Sequence, residues 1–172
     1  MMKNKLILTL VLSGICLVST NAMSFDLPVE CKQLLDKNYS GWKMATVSKG
    51  VSDYFLKEKI ADAPNLVKGD WNGDGSSDYA VLIEYGSQKV DGKSMPMSWT
   101  IAFIKNATGY SSYKLQGGDY IQTVKKGKRD FDHDKKKSFT YKTDAILSAI
   151  WEKSGTSYVW EKGKFKSIIT SD

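Results

Sequence analysis

The chain has 172 residues, a formal net charge of +6 and only two cysteines. That length suits one ordinary domain with a core large enough to stand without disulfide staples. The basic excess is modest and lacks a nucleic-acid-binding motif, so composition points away from a nucleic-acid partner.

Residues 1–22 have the order of a secretory signal. Lys3 and Lys5 are followed by an uncharged apolar run over 6–18 and then by Thr20, Asn21 and Ala22. The run is shorter than the roughly 20 apolar residues a spanning helix needs. Cleavage after Ala22 is expected, with no transmembrane span in the mature chain and a periplasmic or secreted location. A lipoprotein signal at Cys16 would need a small residue directly before it, and Ile15 stands there. Removing 22 of the 172 residues leaves a single expected globular domain of 150, residues 23–172, with a charge of +4 once Lys3 and Lys5 are gone. Cys31 then has no internal partner. It is either buried or paired between chains, and burial is the simpler expectation.

After Pro28, which suits a first helical turn, the pattern of Val29, Cys31, Leu34 and Leu35 predicts a short amphipathic helix to Asn38. Gly41 breaks it. Residues 42–47 are expected as a strand, 48–52 as a turn around Gly50, and 54–60 as either strand or helix. Pro64 lies in a connector, and 69–78 is a loop. The β-rich run 79–85 and the run 98–104 are the clearest strands, with an Asp91-Gly92 hairpin dipeptide between them. A turn at 106–109 returns the chain into 110–115, and Gly117-Gly118 follows. Residues 120–124 form a short strand and 125–137 a charged loop. Residues 144–151 suit strand or helix, with strand favoured by the aromatic end and the Ser154-Gly155 turn. Residues 158–170 form a terminal hairpin. The expected fold class is α+β, a mainly antiparallel β-sheet with one N-terminal helix packed on it.

The segment Asp70-Trp71-Asn72-Gly73-Asp74-Gly75-Ser76-Ser77-Asp78 carries the clearest chemistry. Oxygen side chains fall at loop positions 1, 3, 5 and 9, with glycine at position 6. A hard cation such as Ca²⁺ takes six to eight oxygens, and alternate residues of a tight loop can aim theirs at one centre. Asp70, Asn72 and Asp74 would supply side-chain oxygens and Ser76 its carbonyl, while Asp78 would ligate directly or through water. Gly75 would take the unusual φ of a sharp turn. Val81 at position 12 cannot ligate, so the expected site is weak and partly hydrated. Asp and Asn also close such turns with no metal.

Running from Gly69 into the strand Asp78-Tyr79-Ala80-Val81-Leu82-Ile83, this loop resembles the calcium loop of FG-GAP (integrin α-chain-like) repeats. It resembles more closely small exported bacterial proteins that keep one such loop in a free-standing domain and share the terminal hairpin. The resemblance implies calcium ligands at Asp70, Asn72, Asp74 and Asp78, and implies no catalytic residue. One loop does not make a propeller.

Other groups weigh less. His133 is the only histidine and lies among Asp130, Asp132 and Asp134 in the charged loop. The cations Lys125, Lys126, Lys128, Arg129 and 135–137 cluster there too, but acids interrupt them, so weak attraction to an anionic surface is the most they imply. Trp99, Trp151 and Trp160 are expected in the core, and Trp42 in the core or at its rim. Trp71 would cover the loop or face a ligand. The expected role is an exported, non-enzymatic binding or inhibitor-type module, partnered by an envelope or extracellular protein or glycan. The alternative is a small envelope hydrolase whose acids converge only in the fold.

Overall fold

The computed structural model describes residues 26–171, and the expected signal segment lies outside them. Helix α1 (Val29–Asn38) is followed by β1 (Lys43–Met44), α2 (Lys49–Lys57), β2 (Leu66–Gly69), β3 (Asp78–Val90), β4 (Lys93–Asn106) and β5 (Gly109–Gln116). Then come β6 (Tyr120–Val124), β7 (Arg129–Asp132), β8 (Lys137–Thr140), β9 (Ala145–Ile150), β10 (Ser154–Glu161) and β11 (Lys164–Ser171). Among the described residues no helix is long and apolar enough to cross a membrane.

Among the described residues the fold is mainly antiparallel β, as expected, but with two helices rather than one. The first sheet runs β1-β3-β4-β5, with β2 also paired to β3. The second runs β11-β10-β9-β6, and β7 and β8 form a separate ribbon. Ala80, Leu82, Ala102 and Ile104 of the first sheet meet Ile121, Ile146 and Tyr158 of the second in one buried cluster. The opposite side chains of β3 and β4, Val81, Ile83, Ile101 and Phe103, pack with Cys31 and Leu35 of α1. Burial on both faces explains why these two strands are continuously apolar at their centres. The Asp91-Gly92 dipeptide turns β3 into β4 with φ of +49° and +76°, the positive pair that a two-residue hairpin needs.

Helix α2 overturns the turn expected at 48–52. The Ser48 Oγ accepts a hydrogen bond from the Val51 amide at 3.3 Å and caps the helix. Val51 and Phe55, four residues apart, are buried. A Cβ at Gly50 would lie 3.3 Å from the Trp151 Nε1, so glycine here admits the indole rather than breaking the helix. The strand expected over 42–47 is reduced to Lys43–Met44, with one further backbone bond from the Ala45 amide to the Leu82 carbonyl at 3.0 Å. The charged loop expected over 125–137 holds β7 and leads into a hairpin with β8.

Candidate functional site

The Asp/Asn loop connects β2 to β3, whose last pair is Gly69 with Asp78. Gly73 and Gly75 both adopt positive φ, +79° and +84°, so the sharp turn expected at Gly75 is there. Asp70 folds back over it. Its Oδ1 accepts from the Gly73 amide at 2.8 Å and its Oδ2 from the Gly75 amide at 3.0 Å. Asn72 Oδ1 accepts from the Asp74 amide at 3.1 Å, and the Asn72 Nδ2 donates to Asp74 Oδ2 at 2.8 Å. Asp74 Oδ1 accepts from the Ser76 amide at 2.7 Å. That amide and the Asn72 side chain hold the exposed Asp74 carboxyl below the usual carboxylate range.

Asp78 stands apart from these groups. It is fully buried, and its two oxygens receive the Trp71 amide at 2.9 Å and the Lys105 amide at 2.8 Å. Burial pushes its carboxyl up to about 6 in spite of those donors. Asp78 thus ties the first turn of the loop to the end of β4. Asp70, Asn72 and Asp74 lie together around the turn, while Asp78 lies behind it. Among the described residues no group of three or more His, Cys, Asp or Glu is gathered as a metal site.

Trp71 neither covers the loop nor faces outward. It is fully buried between the sheets. Its ring lies so close to Gly69 that a Cβ there would stand 2.2 Å from the Trp71 Cζ3. The indole anchors the loop into the core. The sequence held one signal for this, a large apolar residue between two polar loop positions and two residues after a glycine.

Asp144 also reaches the loop, and nothing in its own context marks it. Its Oδ2 accepts from the Asp70 amide at 3.4 Å and from the Lys125 Nζ at 2.9 Å, and its Oδ1 from the Lys126 amide at 3.0 Å. Burial raises its carboxyl, but Lys125 and the amides outweigh that and hold it below the usual range. Thr143 beside it would meet a Cβ at Gly73 at 2.8 Å. The loop is therefore seated on the β8–β9 connection.

The other candidates are dispersed. His133 is exposed in the β7–β8 turn, edge-on to Phe131 at 5.2 Å, and its amide donates to the Ile169 carbonyl at 3.0 Å. Cys31 is a buried free thiol. A cleft of about 480 Å³ lies at the Gly117-Gly118 crossover between the sheets. Gln88, Gln116 and Trp99 line it, and Asp119 is its one acid, with Oδ2 accepting from the Trp151 amide at 2.9 Å. It holds neither a carboxylate pair nor His133.

No family model matches this chain, and neither a curated protein nor a solved structure matches it.

Proposed function

We propose that the chain is an exported, non-enzymatic binding module whose loop 70–78 takes up one calcium ion and so fixes the surface between β2 and β3. The observation that carries this reading is the gathering of Asp70, Asn72 and Asp74 around a turn already held by two positive-φ glycines. Each carboxylate oxygen has a second lone pair beyond the one engaged with a loop N–H. Asp70, Asn72 and Asp74 would hold the ion with the Ser76 carbonyl, and water would complete the shell. Asp78, buried behind the turn, supports the loop through the Trp71 and Lys105 amides, and any contact of its own with the ion would pass through water. Two carboxylates and two neutral oxygens make a weak site, in the millimolar range of extracellular modules. The FG-GAP-like resemblance of the loop agrees with this reading.

A second reading has its own support. All seven side-chain oxygens of Asp70, Asn72, Asp74 and Asp78 already accept a hydrogen bond, so the turn closes without an ion. Thermal melting with and without calcium separates the two. With a Kd of about 1 mM, 10 mM calcium stabilises by about 1.4 kcal/mol, a rise of about 3–6 °C in Tm for a domain this size. Asp74→Ala should abolish the rise. No shift in the wild-type chain leaves the loop as an ion-free turn.

A further inference from the structure

The sequence places acids among the cations of residues 125–137, and the structure removes most of them from the surface. Strand alternation puts Arg129 and Phe131 on one face of β7 and Asp130 and Asp132 on the other. Asp130 Oδ2 accepts from the buried Tyr141 hydroxyl at 2.9 Å. Asp132 is 3% exposed, and Lys135 holds it through its amide at 2.9 Å and its Nζ at 2.7 Å. Asp144 engages Lys125. Each of these three acids is thus engaged inward or by a neighbouring lysine, and Asp134 is the one acid of the hairpin left facing water.

Six cations of this region, Lys126, Lys128, Arg129, Lys136, Lys137 and Lys142, are exposed and make no ion pair among the described residues. A four-residue strand is roughly 13 Å long, beyond the screening length of about 8 Å at physiological salt, so neighbouring cations reinforce one another and the two ends of the hairpin act separately. Phe131, 39% exposed, shares the outer face of β7 with Arg129, while Lys137, paired with Asp132, stands on the opposite face. The His133 amide bonds the Ile169 carbonyl and brings a second exposed apolar side chain alongside.

We propose that the β7–β8 hairpin is a docking face for a membrane surface rich in anionic lipid headgroups. Lysines and one arginine supply charge, and Phe131 with Ile169 supplies the apolar contact that a peripheral anchor needs besides charge. Nucleic acid fits less well. Five of the six cations are lysines, which act as point charges rather than bidentate phosphate forks, and the surface is a two-stranded ribbon rather than a groove lined with stacking rings.

The test is partition of the full chain onto phosphatidylglycerol–phosphatidylcholine vesicles and onto pure phosphatidylcholine vesicles. The quantity compared is the phosphatidylglycerol-dependent gain, because the apolar segment 6–18 is common to every arm. Each cation near an anionic surface is worth about fivefold, so Lys126→Gln with Lys128→Gln and Arg129→Gln should lower the gain about 100-fold. Lys136→Gln, at the turn of the hairpin, should lower it about fivefold. A control triple, Lys43→Gln, Lys57→Gln and Lys93→Gln, removes the same charge elsewhere and should leave the gain nearly intact. Phe131→Ser should weaken binding several-fold with no change in salt dependence. Far-UV circular dichroism and melting check that each variant folds. Equal falls in the two triples overturn the proposal. So does tighter binding to a duplex oligonucleotide than to the vesicles at the same salt concentration.

Discussion

Replacing Asp78 by alanine in EDTA asks what holds the loop when no ion is present. The wild-type carboxylate accepts the Trp71 amide at 2.9 Å and the Lys105 amide at 2.8 Å in a fully buried position. Alanine leaves both donors unpaired, at a cost of about 1–3 kcal/mol each. An opposing term comes from the charge. The rise of the carboxyl from 3.8 to about 6, already net of the two amide bonds, means that ionisation in the buried position opposes folding at neutral pH, and alanine removes that cost. The first effect should win, because losing Trp71 also loosens the ring packed on Gly69. The expected net loss is about 2–3 kcal/mol, or about 4–12 °C in Tm. Asparagine carries no charge and keeps one acceptor, so Asp78→Asn should fall within about 1 kcal/mol of wild type. Urea unfolding followed by tryptophan fluorescence reads both variants. If alanine and asparagine are equally stable, the two amide bonds do not hold the loop and the reasoning fails.

Two further outcomes follow from the packing. Gly69→Ala should destabilise by about 1–3 kcal/mol, since its Cβ would stand 2.2 Å from the Trp71 ring. Near-UV circular dichroism should change with it, and an unaltered spectrum and Tm would refute the close approach. Burial pushes the Cys31 thiol up to about 12, so it stays protonated at pH 8. Labelling of its peptide, read by mass, should be on the order of 1,000-fold slower in the native chain than in urea. Equal rates would place Cys31 at the surface.

Local rules made much of the fold legible. Pro28 and the apolar spacing gave the limits of α1, and Asp91-Gly92 marked the β3–β4 hairpin. The runs around Val81 and Ile101 announced the two central strands, though not that both faces of them are buried. Helix α2 was misjudged because Ser48 and Gly50 are turn residues by propensity. What decides there is the Ser48 cap and an indole, 101 residues away in sequence, that needs the glycine. The β7–β8 ribbon was hidden by its charges, because Asp130 and Asp132 find partners only after folding. At the candidate site, the turn and its glycines were legible. That Asp78 and Trp71 point inward was not, since their depth depends on β4 and the second sheet. Asp144 was beyond reach for the same reason, as it meets the loop from 74 residues along the chain.

The most direct test of the calcium reading is an amide NMR titration of residues 23–172 with calcium. Saturable shifts confined to the amides of residues 70–78, led by Gly73, Gly75 and Ser76, with a Kd of about 1 mM, are the predicted result. Shifts absent at about ten times that concentration, or spread evenly over the exposed carboxylates, would contradict it.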